Sequence, residues 1–221
     1  PAAQFFINQR RPVSEFFDDW TAVHELSHFL LPYVKSDDIW LSEGIATYYQ
    51  NVLRARGGRM KASDAWQRLH AGFVRGMESA HGLTLAQATE SMYRNDTYMR
   101  VYWEGAALLL IADVRLRQMT AGKQSLDTAL AALNECCASA DRAWSARELL
   151  DRLDGETGTR IFAELYDQHV VSRDFPDLSQ TYRALGIVAG SDGLEFSSDG
   201  REAGLRDAIM GAHAPVAGGK D

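Results

Sequence analysis

Cysteine, positive charge and long apolar runs are all scarce in this 221-residue chain. It has two cysteines, the neighbours Cys136 and Cys137. Adjacent cysteines rarely bridge each other without strain, so a disulfide scaffold is excluded, and a C-x-x-C metal site is excluded with it. Twenty-three basic residues face 30 acidic ones, a formal net charge of −7. The basic face that phosphate binding needs is missing, so nucleic acid is not an expected partner. No apolar stretch approaches the roughly 20 residues of a membrane-spanning helix. The longest, Gly105 to Ala112, is short and followed by charges. The start, Pro1, shows nothing of a signal peptide, and there is no internal repeat or low-complexity segment. What is present, 46% hydrophobic and 24% charged residues, has ordinary globular proportions and is long enough to bury a core.

The apolar periodicity predicts a mainly α chain. Ser14 can cap a helix with Phe17, Trp20, Val23 and Leu31 on its apolar side, ending near Pro32. A second helix is expected from about Ser42 to Arg56, stopped by Gly57-Gly58. Ser63 should cap a third, with Trp66, Leu69, Phe73 and Met77 inward, and Thr84 a short one with Leu85 and Ala88 inward. Met99 to Met119 reads as the longest helix, and Ser125 starts another. Ser145 with Glu148 forms a capping box, and Thr159 to Val171 is again helical in period. After Pro176, Leu185–Ala189 and Gly193–Ser197, joined by Gly190-Ser191-Asp192, read as a small hairpin. The Gly- and Ala-rich end reads as a frayed tail, and the mixed charges from Arg201 to Arg206 as a solvated face.

The chemistry is concentrated in His24-Glu25-Leu26-Ser27-His28, an H-E-x-x-H pattern. On an α-helix, positions i and i+4 lie about 40° apart around the axis and roughly 6 Å along it, so two imidazoles can grip one zinc ion from one face. Glu25 sits about 100° from His24, beside the open coordination position, where it can take a proton from water and later deliver it to a leaving amine. Val23, Leu26, Phe29 and Leu30 make the stretch partly apolar, and a metal is one way to compensate polar groups set there. A catalytic zinc needs a third protein ligand. Glu43, expected in the first turn of the second helix, is in reach if a short link folds that helix back on the first; alternatively it neutralises a helix dipole.

His24-Glu25-x-x-His28 followed by Trp40-Leu41-Ser42-Glu43-Gly44-Ile45-Ala46-Thr47-Tyr48-Tyr49 resembles the gluzincin zinc metallopeptidases. The likeness is to the peptidase MA-like group, closest to the glycyl aminopeptidase type and more distantly to the aminopeptidase N type. A second stretch, Val101 to Leu110, resembles the Tyr-x-x-Gly segment that opens a later helix in those enzymes, and Gly122 to Asp127 resembles a scaffold step. The resemblance covers about residues 15 to 135. It implies a thermolysin-like C-terminal helical subdomain with a small C-terminal β-hairpin and a Zn2+ cofactor held by His24, His28 and Glu43. Glu25 would be the general base, and Tyr102 would donate to the oxyanion of the tetrahedral intermediate. Tyr98 and Tyr93 lie close in sequence and are alternative donors. Fourteen residues separate His28 from Glu43, fewer than in aminopeptidase N-type enzymes, and no PDZ-like segment follows.

The implied function is hydrolysis of peptide bonds by metal-activated water, aminopeptidase in type. The alternative is a zinc-binding module or pseudo-peptidase fragment without turnover, serving peptide binding or assembly. Residues 1–184 are expected to form the helical catalytic part and 185–221 a hairpin and tail. Gluzincins carry a β-sheet before the zinc helix, and Gln4 to Asn8 can supply one strand at most, so the expected partners are a peptide substrate and an upstream β-rich lobe of the same protein. His70, His81, His169 and His213 match no ligand spacing; Trp66, Trp103 and Trp144 read as core. Arg94 and Arg100 either hold a substrate carboxylate or are solvated helix charges.

Overall fold

The computed structural model describes residues 2–79, 82–137, 142–191 and 193–211. The chain is mainly helical. It opens with α1 (Val13–Asp18) and α2 (Thr21–Ser27), then a 3-10 turn over His28–Leu30. A second such turn, Ser36–Asp38, leads into α3 (Ile39–Arg56). Next come α4 (Ala62–Glu78), the short α5 (Leu85–Glu90) and α6 (Met92–Asn95), and the 22-residue α7 (Tyr98–Met119). The rest is α8 (Leu126–Cys137), α9 (Ala146–Thr157), α10 (Ile161–His169), α11 (Ser179–Ala184), the antiparallel pair β1 (Ile187–Gly190) and β2 (Gly193–Phe196), and α12 (Gly200–Met210). The hairpin register pairs Ile187 with Phe196 and Gly190 with Gly193.

The core is built around α3 and α7, which pack on each other, with α2 and α4 against them. These two helices approach backbone to backbone because glycine stands at the crossing on both. A Cβ on Gly44 would fall 2.7 Å from the Gly105 carbonyl carbon, and one on Gly105 would fall 2.6 Å from the Trp40 carbonyl oxygen. The same device seats α4: Trp103 of α7 occupies the space a Cβ on Gly72 would need. A buried polar network then locks α3 to α7 and α8. The Asp113 carboxylate accepts from Tyr48 Oη (3.0 Å), Arg117 Nε (2.9 Å) and the Leu126 backbone N–H (2.8 Å). Asp127 accepts from Tyr49 Oη (2.8 Å) and from both terminal nitrogens of Arg56 (2.9 and 3.0 Å).

Several expectations need correction. The helix expected from Ser14 to Pro32 is broken at Asp19-Trp20. Asp19 Oδ1 accepts from the Thr21 N–H (2.6 Å), starting a new turn and leaving Phe17 and Trp20 about half exposed rather than inward. Helix α3 starts at Ile39 instead of Ser42, which puts Glu43 in its second turn, away from the free N–H groups of the helix end. Lys61, not Ser63, precedes α4, and Met77 is exposed at its far end. Cys136 and Cys137 are bonded to each other; the bridge closes a ring within one dipeptide and joins no separate elements. After the hairpin α12 forms, capped by Asp199 through the Arg201 and Glu202 N–H groups, and it buries Ile209 and Met210, while the Gly- and Ala-rich end expected to fray lies almost wholly outside the described residues. No strand forms at residues 4–8. His81, Asp192, His213 and the last ten residues lie outside the described residues.

Other readings hold. Thr84 and Ser145 both make complete capping boxes, with Gln87 and Glu148. Leu85 and Ala88 are fully buried, and Trp66, Trp103 and Trp144 are core. No helix among the described residues is long and apolar enough to cross a membrane.

Candidate metal centre

Three separate elements deliver the candidate ligands. His24 lies in α2, His28 begins the 3-10 turn that continues it, and Glu43 stands on α3. A 3-10 turn right after His28 is what lets the chain reverse within the short link to α3. Tight i to i+3 winding ends the helix without a glycine, and Leu31 then turns extended.

The three side chains converge. Nε2 of His24 is 3.2 Å and Nε2 of His28 3.8 Å from the same oxygen, Glu43 Oε2, and one ligand atom from each residue lies within 4.8 Å of the others. Ligand atoms about 2.1 Å from a tetrahedral zinc sit about 3.4 Å apart, so the spacing suits such an ion. The outward nitrogens are already engaged: His24 Nδ1 donates to Gln50 Oε1 (2.9 Å), and His28 Nδ1 is 2.8 Å from Ser42 Oγ. With its proton on Nδ1, His24 turns a lone pair at Nε2 toward a carboxylate oxygen, an arrangement that a cation between them satisfies. Partners on the outer ring nitrogen are the usual support of a metal-binding histidine. Burial holds His28 below its ordinary pKa, more than the Glu43 charge raises it. That favours the neutral imidazole, the form that binds metal.

Around this trio, Trp20 meets the His24 ring edge-on (5.4 Å between centroids). Tyr102, from the second turn of α7, stacks on the His24 ring at 5.9 Å with 19° between planes. Burial, and then the Glu43 carboxylate beside it, push the Tyr102 phenol well above its ordinary pKa, so it keeps its proton and remains a donor. Tyr98 contacts the Tyr102 ring edge-on, and Tyr93, itself highly exposed, contacts Tyr98 in turn. Of the three candidate tyrosines, Tyr102 is the one the fold brings against His24. Glu25 is half-buried, its charge is felt by both His28 and Tyr102, and among the described residues it makes no hydrogen bond or ion pair.

Sequence reasoning missed Ser42 and Gln50. Gln50 was findable: seven residues past Glu43, it returns to within about 20° of the same helix face. Arg100, considered as a substrate anchor or a solvated charge, is neither. It is wholly buried in α7 with its Nε 2.8 Å from Glu104, one turn on. His70 pairs with the Tyr182 hydroxyl (2.9 Å), and neither it nor His169 joins the ligand group. No protein-family model matches this chain, and no curated protein sequence matches it.

Proposed function

We propose that the protein is a zinc-dependent peptidase of gluzincin type, hydrolysing peptide bonds in the aminopeptidase manner, on a thermolysin-like helical subdomain. The observation that carries this reading is the meeting of both histidine Nε2 atoms at one Glu43 oxygen with Glu25 left uncommitted beside them. A structural metal site has no use for a free carboxylate next to its ligands; a hydrolytic one does. Zinc held there supplies Lewis acidity and makes water nucleophilic near neutral pH.

The chain's own groups divide the remaining work. Glu25 accepts the proton that the attacking water gives up, and returns it to the amine as the C–N bond breaks. The Tyr102 phenol, uncharged, donates to the oxygen of the former carbonyl as negative charge develops on it. Gln50 and Ser42 fix the two imidazole rings, so the ligands need little rearrangement. The exposed apolar side chains of Trp20, Leu26 and Phe29 around the motif support an upstream β-rich lobe that covers them and aligns an extended peptide.

Metal content and peptide hydrolysis, measured together on wild type, His24→Ala and Glu25→Gln, test the reading. It predicts about one zinc per chain in wild type, loss of zinc in His24→Ala, and retained zinc without hydrolysis in Glu25→Gln. Loss of zinc in Glu25→Gln would overturn the assigned roles. Zinc in wild type with no hydrolysis of any peptide would support the binding-module alternative instead.

A further inference from the structure

Beside the metal centre the surface sinks into a cleft of about 400 Å³, walled by α3, α4 and α7. His24 and Tyr102 belong to its lining, so it is continuous with the proposed reaction site. The same lining holds Arg54, Arg68 and Arg75. Three arginines in one cleft run against the chain's net charge of −7. No carboxylate of the described residues lies within ion-pairing distance of any of them, whereas Arg100, Arg115 and Arg117 of α7 and Arg147 of α9 each meet one.

Two buried side chains in this lining each leave a polar atom unpaired. Arg54 is 6% exposed; one terminal nitrogen donates to the Asp18 carbonyl (2.6 Å), but its Nε has no acceptor. The Thr47 hydroxyl, 1% exposed and one turn beyond Glu43 on the same face of α3, is also unpaired. Leaving a buried donor unmade costs about 1–3 kcal/mol, which a ligand reaching these groups would recover. Burial and the neighbouring Arg68 both press against the Arg54 charge, and Asp18 and Asp19 only partly offset them. Arg75 is steadied over the Trp103 ring, 5.2 Å from its centroid.

We infer that this cleft is a subsite for a carboxylate carried by the peptide substrate, so that the site selects acidic peptides. The inference rests on the peptidase reading, because a carboxylate is the anion that an ordinary peptide brings. Guanidinium groups suit it, offering paired donors that match the two oxygens. Arg54 lies eleven residues past Glu43, about 16 Å along the α3 axis. An extended peptide advances about 3.3 Å per residue, which puts the selected carboxylate two to four residues from the scissile bond once the reach of the arginine side chains is allowed for.

The test uses zinc-loaded Glu25→Gln protein and fluorescent peptides that differ only by Glu or Gln at successive positions, each with a free or an amidated C-terminus. Tighter binding of a Glu peptide over its Gln twin, by roughly 10- to 100-fold, is expected. That ratio should fall toward one at high salt and in Arg68→Gln/Arg75→Gln, whose substitutions sit on the exposed side of α4 and whose fold is checked by thermal melting. If the cleft takes the free C-terminus and not a side chain, amidation weakens both twins alike and the Glu/Gln ratio stays at one, which overturns the selection of acidic residues. Equal binding of acidic and neutral peptides, an unchanged ratio in the double variant, or no binding of any peptide overturns the inference. Zinc content and wild-type hydrolysis of neutral peptides report separately on the peptidase reading. If those fail while the charge ratio persists, the acidic-peptide cleft stands alone.

Discussion

Gly44→Ala sets the close approach of α3 and α7 against the ordinary benefit of alanine in a helix. The new Cβ would lie 2.7 Å from the Gly105 carbonyl carbon and 2.8 Å from its Cα, both backbone atoms that no rotamer change can move. Restoring ordinary contact at 3.4 Å requires the helices to part by about 0.7 Å. Overpacking of this kind costs about 1–3 kcal/mol, while replacing helical glycine by alanine returns roughly 0.5–1 kcal/mol. The net loss of about 0.5–2 kcal/mol corresponds to a Tm lower by roughly 1–8 °C for a chain of this length. Gly155→Ala is the control: it lies inside α9 with nothing within 4 Å of the added Cβ, so the same change should raise Tm by roughly 1–4 °C. Circular-dichroism melts of both variants in chelator read the two signs without interference from metal. Because Glu43 adjoins Gly44 and Tyr102 is three residues before Gly105, prising the helices apart also separates the Glu43 carboxylate from the Tyr102 phenol. A misplacement near 1 Å can cost about 100-fold in rate, so hydrolysis should fall further than stability. A Gly44→Ala protein as stable as wild type, or stabilised like Gly155→Ala, would mean that the two helices do not meet through their backbones.

Further outcomes follow from the same geometry. Gln50→Ala should weaken zinc binding roughly 10- to 100-fold with the fold intact, measured by competition with a chelating dye; an unchanged affinity would show that Gln50 does not orient His24. Asp113→Ala removes the acceptor of the Tyr48 hydroxyl, of Arg117 Nε and of the Leu126 N–H in the core, while Arg117 keeps Asp127, and should cost about 3–5 kcal/mol in urea unfolding. Ser145→Ala should cost about 1 kcal/mol by removing a cap, whereas Ser63→Ala should cost almost nothing because Ser63 caps no helix. Burial lowers the pKa of His70, so its contribution to stability is present above the unfolded-state value and lost as pH falls through the lower folded-state value. The Tm difference between wild type and His70→Gln should therefore shrink from pH 7.5 to pH 5.5; a difference that grows contradicts the sign.

The convergence of His24, His28 and Glu43 was legible in the sequence because each part has a local signature. His24 and His28 are tied by helical spacing, and the fourteen residues between His28 and Glu43 leave the second helix little choice but to return beside the first. The capping box at Ser145 and the cap at Thr84 were legible for the same reason, since all their parts lie within four residues. Failures came where a side chain spends itself locally in a way spacing does not show. Asp19 accepts from Thr21, two residues on, and breaks an apolar period that otherwise runs unbroken through Trp20. Asp38 instead gives its carboxylate to the Ala146 N–H, a partner more than a hundred residues away, so the early start of α3 had no local sign. Arg100 shows the same limit from the opposite direction. Its i+4 partner Glu104 is visible in the sequence, but whether that pair faces solvent or core is decided by what packs over α7.

The arginine cleft was invisible because no single segment contains it, yet its placement follows from how α3 is used. One stripe of α3 carries Glu43, Thr47, Gln50 and Arg54, all facing the metal centre or the cleft. Its other contacts hold it in place: Gly44 against α7 near one end, Tyr48 and Tyr49 on Asp113 and Asp127 in the middle, and Arg56 on Asp127 at the far end. Helix positions held this way keep side chains in register better than loop positions do. The distance from Glu43 to Arg54 is therefore set by eleven residues of helix rather than by a loop. On the peptidase reading, that makes α3 a ruler between the bond to be cut and the charge to be recognised. His28, in a 3-10 turn with its side chain 22% exposed, is the least confined of the three candidate ligands. Its position depends on Ser42, which α3 also supplies, so the one helix disciplines both halves of the site.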